Sequence, residues 1–216
     1  MRVLVGCECS GIVRDAFRRR GHDAWSCDLK PSERPGPHLQ CDVLTVLHMG
    51  WDIAIFHPDC TFLTCSAEWA YGDGPYHQKV KPGTLVGAAR RVARIQAIAF
   101  AKALWSAPIP KIALENPVGV LSRAENLGKP AQVLQPYNFG EDASKATCLW
   151  LKDLPILVAT TYCEPRIVTD ANGKPQKRWA NQCASGCDRT SPGTDRGASR
   201  SRTYRGIADA IAQQWG

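Results

Sequence analysis

The chain has 216 residues, a formal net charge of +7 and an isoelectric point near 9.0, and hydrophobic residues make up 44% of it. That length indicates one domain, with or without an appendage, and the apolar share is enough for a real core. No apolar run is long enough to span a membrane, and the first residues lack a signal-peptide pattern. We therefore expect a cytoplasmic protein whose ten cysteines stay reduced, which argues against a disulfide framework.

The predicted elements alternate between strands and helices. Apolar periodicity predicts, in chain order, strand 2–6, helix 12–20, strand 23–27, strand 52–56, helix 86–106 and strand 111–115. Two further strands are predicted at 146–151 and 155–159, then a loop-like stretch at 164–200 and a short helix within the last 14 residues. On the long helix, Ala89, Ala93, Ala97, Phe100 and Leu104 form the predicted apolar face, and Arg90, Arg91, Arg94 and Lys102 lie off it. This order predicts an α/β fold with a mostly parallel sheet and helices on both faces.

Four unusual segments follow predicted strands directly. They are Gly6–Gly11, Asp28, His57–Cys60 and Glu115–Pro117. Because ligands of parallel α/β sheets bind at the carboxyl ends of the strands, we expect these segments to share one site.

The first of these segments is typical of a nucleotide-binding turn. Its glycines allow the backbone to approach a ligand, but the pattern is not GxGxxG, which disfavours a dinucleotide. Asp28 follows about twenty residues later, where such folds place an acid for ribose hydroxyls. Asp42 has two interpretations, as an acceptor for an adenine amino group or as the N-cap of a short helix at 43–48.

Cys60 and Glu115 are the candidate catalytic residues. A cysteine in a proline-containing turn at a strand end is a suitable nucleophile for an electron-poor ring carbon, although it could also be a buried structural cysteine. Glu115 could bond a heterocycle's ring nitrogen, or it could be an ordinary acid at a strand end. Asn116 is expected to brace the loop, and Pro117 to fix its path.

The C-terminal quarter is basic, with nine Lys and Arg against four Asp from Pro165 onward. This surplus is typical either of a solvated tail or of a phosphate-contacting face. Cys163, Cys183 and Cys187 make a poor zinc signature because their spacing is loose and a fourth ligand is not evident. We therefore predict no metal site.

Together these segments resemble the DNA cytosine-C5 methyltransferase family, especially its short phage and prophage members. VLVGCECSGIVRDAF resembles the first S-adenosylmethionine motif, HPDCTFLTCS the Pro-Cys nucleophile motif, and LENPVG the Glu-Asn motif. RSRTYRGIADAIAQQWG is similar to the C-terminal motif that closes the cofactor pocket. The resemblance implies a Rossmann-like S-adenosylmethionine-dependent methyltransferase fold, and an enzyme acting on DNA in a bacterial or phage-infected cell.

The resemblance also implies residue roles. Cys60 would add to C6 of a flipped-out cytosine, Glu115 would protonate N3, C5 would attack the sulfonium methyl, and elimination would release Cys60. Asn116 would complete the catalytic set. The implied S-adenosylmethionine contacts are Gly6, Cys7, Glu8, Ser10, Gly11, Asp28, Leu29, Asp42, Val43, His57, Pro58, Ser201, Thr203 and Tyr204. The implied substrate or DNA contacts are Thr61, Lys145, Arg200 and Arg202.

The sequence departs from the family at two positions and in one region. Asp59 stands where the motif usually has a second proline, and it should raise the pKa of the Cys60 thiol. Glu8 stands where larger members have glycine. We expect a catalytic domain at 1–161, a basic loop-rich segment at 162–200 serving as a reduced recognition region or clamp, and a C-terminal helix at 201–216 returning to the catalytic domain.

Sequence-specific members of the family carry a long target-recognition domain, which this sequence lacks. Its absence leaves three functions open. The first is methyl transfer to C5 of cytosine in DNA. The second is related chemistry on a nucleotide, RNA or an already modified base. The third is a non-catalytic DNA-binding relative, which the basic tail and Asp59 would suit.

Overall fold

The computed structural model describes residues 1–65, 67–170, 172–187 and 202–216. Within those ranges the strands are β1 (Arg2–Gly6), β2 (Asp23–Asp28), β3 (His38–Gln40), β4 (Ile53–Phe56), β5 (Lys111–Pro117), β6 (Gln132–Leu134), β7 (Thr147–Lys152), β8 (Arg166–Thr169) and β9 (Pro175–Arg178). The α-helices there are α1 (Ile12–Arg19), α2 (Gly87–Trp105) and α3 (Arg205–Trp215). A search of the helices in these ranges finds none with the length and apolar character of a membrane span.

Seven strands form one sheet in the order β3-β2-β1-β4-β5-β7-β6. The five strands from β3 to β5 are mutually parallel, and β7 runs antiparallel to both β5 and β6. The chain winds outward from β1 to β3 and then returns to place β4 on the other side of β1. This reversal puts a topological switch point between β1 and β4, which is where ligands bind in doubly wound sheets.

Helices cover both faces of the sheet. Since successive strand residues point to opposite faces, Val3 and Val5 pack in one cluster with α1 and α3, whereas Leu4 belongs to the other. On the second face, Ala101 and Leu104 of α2 are buried in the same cluster as Leu4. The predicted α/β class, with a mostly parallel sheet and helices on both faces, is thus confirmed.

The segment predicted as a strand at 155–159 is not one. Its backbone pairs with two glutamine side chains: Gln132 exchanges hydrogen bonds with Leu157 at 2.7 and 2.9 Å, and Gln214 does so with Val158, both at 2.8 Å. Side-chain amides therefore satisfy the backbone groups that a neighbouring strand would otherwise pair. The short strands β3 and β6 fall where the sequence predicted none.

Part of the stretch expected to be loop forms a separate two-stranded sheet of β8 and β9. This hairpin is tied to the main body just beyond its second strand. Trp179 stacks on Tyr137 with ring centroids 4.1 Å apart, and Asn181 exchanges two 2.9 Å hydrogen bonds with the backbone of Ser144. The hairpin is therefore anchored next to Lys145, immediately before β7.

Candidate active site

The predicted site segments lie at the carboxyl ends of four adjacent parallel strands. Gly6 ends β1, Asp28 ends β2, His57 directly follows β4, and Glu115 and Asn116 lie near the end of β5. The strand register sets Gly6 beside both Cys27 and Phe56, and Phe56 beside Leu114. The sheet thus brings the four segments to one edge, around the switch point.

The turn after β1 is organised by Glu8. Its Oε1 accepts hydrogen bonds from the Ser10 hydroxyl and from the backbone N–H of Ile12, at the start of α1. Its Oε2 is buried and has no hydrogen-bond partner among the described residues. Such orphaned polar atoms are rare and call for an explanation, which a bound cationic group would supply. Gly6 is required by packing, because a Cβ there would stand 2.6 Å from the Phe56 ring.

Cys7 lies in the same turn, and three carboxylates from other segments act on the pKa of its thiol. Burial raises the pKa of Cys7 far above its usual value, and the charges of Asp28, Asp42 and Asp59 add to the effect. Backbone hydrogen bonds tie this turn to the neighbouring strand ends: the Glu8 N–H donates to the Cys27 carbonyl at 3.2 Å, and the His57 N–H donates to the Gly6 carbonyl at 3.0 Å. Leu29, which follows Asp28, leaves 73% of its surface exposed although it is a large apolar residue.

Asp42 has the N-cap geometry that the sequence left as one of two interpretations. Its Oδ1 accepts from the Leu44 backbone N–H at 3.0 Å, at the start of the short 3-10 helix Val43–Thr45. Asp28 similarly accepts from the Lys30 backbone N–H at 2.9 Å. Each carboxylate uses one oxygen in these local bonds.

Cys60 begins a tight turn after β4. Its carbonyl accepts from the backbone N–H groups of Leu63 and Thr64 at 3.0 and 3.1 Å. Asp59 accepts from both the backbone N–H and the hydroxyl of Thr61, at 2.8 and 2.6 Å. Burial raises the pKa of the Cys60 thiol, Asp59 raises it further and Lys145 lowers it, with the net shift upward. The predicted effect of Asp59 is therefore confirmed.

Two arginines of α2 hold this turn from behind, which the sequence interpretation missed. Arg90 is buried and Arg94 half-buried, so the prediction that both lie off the packed face is wrong; Ala89, expected on it, is exposed. Arg94 donates to the carbonyls of Phe62 and Thr64 at 2.9 and 3.3 Å. Guanidinium groups satisfy several carbonyls at once, so a helix packed on an irregular loop can favour arginine over an aliphatic side chain.

Arg94 is itself held in place. It pairs with Glu68 at 2.7 Å and lies over the Tyr71 ring, with its guanidinium carbon 3.4 Å from the ring centroid. Arg90 lies over the same ring at 4.8 Å. The 3-10 helix Glu68–Tyr71 and α2 therefore clamp the turn that carries Cys60.

Glu115 pairs with His57, a partner that the sequence did not predict. His57 Nδ1 lies 2.5 Å from Glu115 Oε2, and both side chains are largely buried. Burial alone would raise the pKa of Glu115, but the hydrogen bond and charge of His57, together with Lys145, lower it overall. Burial would lower the pKa of His57, but Glu115 and Glu8 raise it overall. Each group of the pair thus favours the charged form of the other.

Asn116 braces the loop that carries Cys60, as its position predicted. Its Nδ2 donates to the Pro58 carbonyl at 2.8 Å, tying the end of β5 to the turn after β4. Its Oδ1 is buried and has no hydrogen-bond partner among the described residues. Three of the side chains with such orphaned atoms, Glu8, His57 and Asn116, thus lie at the ends of β1, β4 and β5.

The start of α3 returns to this edge of the sheet. A small cavity is lined by ten residues: Glu115, Leu134, Lys145, Thr147, Leu149, Arg202, Thr203, Tyr204, Ile207 and Ile211. It brings Lys145, Thr203 and Tyr204 to Glu115. Arg202 also pairs with Glu33 at 2.9 Å. Arg200 and Ser201, also predicted for the site, lie outside the described residues.

The described residues contain no group of three or more His, Cys, Asp and Glu side chains arranged as metal ligands. Cys183 and Cys187 are close, since the Cys183 N–H donates to the Cys187 carbonyl at 2.8 Å. The Cys183 sulfur lies within hydrogen-bonding distance of the Ser185 hydroxyl, at 3.0 Å.

Comparison with known proteins gives likenesses to solved structures. No family model and no curated protein matches this chain. A solved structure of a candidate DNA modification methyltransferase, encoded within an E. coli prophage, shares 12% sequence identity and superposes with a TM-score of 0.43. The match covers 76% of this chain and 52% of that one, so the chain spans about half that protein's length. A likeness this distant carries no argument about function, and the proposal below depends on the site.

Proposed function

We propose that the chain is an S-adenosylmethionine-dependent methyltransferase that acts on C5 of cytosine in DNA, with Cys60 as its nucleophile. The observation that carries the proposal is the meeting of Cys60, Glu115 and Lys145 at adjoining strand ends. Asn116, next to Glu115, donates to the carbonyl of Pro58, two residues before Cys60, and Glu115 and Lys145 line one cavity. A thiol, a carboxyl group and an ammonium group side by side suit addition to a ring whose nitrogen must be protonated.

The residues then divide the chemistry. The Cys60 thiolate forms a bond to C6 of cytosine. Glu115, once protonated on the oxygen that does not bond His57, gives that proton to N3 and so draws electrons from the ring. S-Adenosylmethionine, when bound, supplies the methyl group that C5 receives. Transfer of the C5 proton to solvent water, elimination of Cys60 and return of the N3 proton to Glu115 restore the aromatic ring, the thiolate and the acid. Asn116 holds the Cys60 loop at its Pro58 carbonyl throughout.

The turn after β1 suits the proposed cofactor. The orphaned Glu8 Oε2 fits the ammonium group of the methionine moiety, and the exposed Leu29 fits the face of a purine. Asp28 and Asp42 each keep one carboxylate oxygen beyond their local bonds for hydroxyl or amino groups. We assign the remaining cofactor contacts to Gly6, Cys7, Ser10, Gly11, Val43, Pro58, Thr203 and Tyr204. His57, also expected among them, bonds Glu115 through Nδ1.

We assign DNA contact to the basic C-terminal part of the chain. Arg166, Lys177 and Arg178 lie on the hairpin, which is anchored beside Lys145. If residues 162–200 serve as a recognition region or clamp, these cations would lie close to Lys145 at the start of β7. In this division, residues 1–161 form the catalytic domain and residues 201–216 return to it. Thr61, Lys145 and Arg202 would contact the flipped base or its phosphates.

A covalent trap tests the proposal. The protein is incubated with S-adenosylmethionine and duplex DNA containing 5-fluorocytosine, whose fluorine cannot be lost in the final elimination. We expect a stable protein–DNA adduct that vanishes in Cys60→Ala and persists in Cys65→Ala, which removes an exposed thiol from the same loop. Parallel reactions with single-stranded DNA, RNA and a cytidine nucleotide identify the substrate. An adduct confined to one of these would overturn the choice of duplex DNA.

One observation favours a second candidate, a non-catalytic DNA-binding relative. Burial and Asp59 both raise the pKa of Cys60, and a protonated thiol is a poor nucleophile. This candidate predicts that S-adenosylmethionine or DNA binds while no adduct forms on any cytosine substrate at any pH. An adduct that forms faster as the pH rises would exclude it.

A further inference from the structure

The buried pair of His57 and Glu115 joins two neighbouring parallel strands at the centre of the site. His57 directly follows β4 and Glu115 belongs to β5, and the pairing of Phe56 with Leu114 sets the two residues side by side. The Nδ1 to Oε2 distance is 2.5 Å, and the side chains are 10% and 18% exposed. Because a carboxylate only accepts hydrogen bonds, Nδ1 must carry the hydrogen.

The charges that face His57 come from three elements. Glu115 on β5 bonds it, Glu8 after β1 favours its charged form, and Lys145 before β7 opposes it. The Nε2 on the far side of the ring is buried and has no hydrogen-bond partner among the described residues. Among the described residues, the hydrogen bond from Nδ1 to Glu115 is therefore the one that orients the His57 ring.

The pair is a costly way to stabilise a fold. Burying two charges often costs as much as their attraction returns, so a buried ion pair is weak support for a purely structural role. Its location beside a nucleophile is a better explanation, because Glu115 also acts on the pKa of Cys60. The question is what the imidazolium changes in the carboxyl group.

We propose that His57 is a positioning residue for Glu115: it fixes one carboxyl oxygen, leaves the other to face the ring, and stabilises the carboxylate that remains after protonation of the ring nitrogen. Glu115 first takes up a proton from solvent on the oxygen that does not bond His57. In the step itself that O–H bond breaks, an N–H bond forms at N3 of cytosine, and the electron pair stays on the carboxylate beside the imidazolium. The inference rests on the proposed function for the identity of the ring. The effect of His57 on the acidity of Glu115 does not depend on the proposed function.

Two variants separate the hydrogen bond from the charge. His57→Asn places an amide N–H near the position of Nδ1 without a charge, whereas His57→Phe removes both the donor and the charge and keeps a ring. Infrared spectroscopy follows the titration of Glu115 through the carbonyl band of its protonated form, and the same band must be missing in Glu115→Gln. Circular dichroism and thermal melts establish that each variant is folded.

In His57→Phe we expect the titration of Glu115 to move upward by about 1–3 pH units, as for a carboxyl that loses an opposite charge. His57→Asn should give a smaller shift. At its own optimum pH, His57→Phe should form the fluorocytosine adduct about tenfold more slowly or worse, with little change in the KM for DNA. His57→Asn should lie between it and the wild type.

The outcomes distinguish this inference from the proposed function. An unchanged Glu115 titration in folded His57→Phe overturns the inference, and so does a shifted titration with an unchanged rate of adduct formation. If wild type forms no adduct with any cytosine substrate, the proposed function fails, while the infrared titration still decides whether His57 controls the acidity of Glu115.

Discussion

Gly119 holds the Cys60 turn against the end of β5, and a single added methyl group there should displace that turn. The Val120 N–H donates to the Leu63 carbonyl at 2.8 Å, and Thr64 forms a bridge with Gly119. A Cβ built on Gly119 overlaps the Leu63 carbonyl oxygen and stands 2.9 Å from both the Leu63 carbonyl carbon and the Thr64 Cα. The φ of Gly119 is −177°, which any residue adopts, so the effect of Gly119→Ala is steric alone.

The size of the displacement follows from these contacts. Non-bonded carbon atoms prefer separations of about 3.5–4.0 Å, so the two carbon contacts alone require the backbones to part by roughly 0.6–1.1 Å, and the overlap with the Leu63 carbonyl oxygen requires at least as much. The backbone N–H groups of Leu63 and Thr64 both donate to the Cys60 carbonyl, so Cys60 should move with them. A misplacement near 1 Å costs about a hundredfold in rate, and overpacking costs about 1–3 kcal/mol of stability. We expect both in Gly119→Ala.

The assay measures adduct formation on fluorocytosine DNA beside urea unfolding. Gly128→Ala is the matched control, because Gly128 has a φ of +75° and no atom within 4 Å of an added Cβ. The control should lose about 1 kcal/mol from its left-handed backbone and keep the wild-type rate. A folded Gly119→Ala protein with the wild-type rate would refute the steric link between the β5 loop and Cys60.

Two further predictions concern the same turn. Asp59→Asn keeps an acceptor for Thr61 but removes a charge, and since burial and then Asp59 raise the pKa of Cys60, the limb of adduct formation that rises with pH should move to lower pH by roughly 0.5–1 unit. An unmoved limb would show that Cys60 ionisation does not limit the step. Arg94→Lys loses the forked contacts to Phe62 and Thr64 and should unfold about 1–2 kcal/mol more easily by urea titration. Arg91→Lys, at an exposed pair with Asp73, should change stability by less than about 0.5 kcal/mol, and equal losses in both would contradict the clamp.

The parallel half of the fold was predictable because its elements follow strong local patterns. The helix α1 and the strands β1, β2, β4 and β5 were predicted within one or two residues of their observed bounds. The carboxyl-end rule for parallel sheets then brought Cys60 and Glu115 to one edge without any contact information. The segments β3 and β6 have three residues each, too few for an alternating pattern to be visible.

The contacts that sequence could not supply depend on tertiary packing. Arg90 and Arg94 face inward because an irregular loop offers them carbonyl groups, and helical periodicity cannot represent that environment. Likewise, His57 and Glu115 are 58 residues apart, and only the register of β4 against β5 pairs them. The apolar run at 155–159 suggested a strand, but two distant glutamines bond its backbone instead.

The hairpin of β8 and β9 has a consequence for how this protein can diversify. Its strands pair with each other in their own sheet, and its anchor to the main body includes one aromatic stack and one amide pair. The hairpin can therefore be lengthened, and its charged or uncharged side chains substituted, without altering the register of the seven-stranded sheet. A library that varies residues 166–178 while fixing Tyr137, Trp179 and Asn181 would change the charge and shape of this surface on an unchanged seven-stranded sheet.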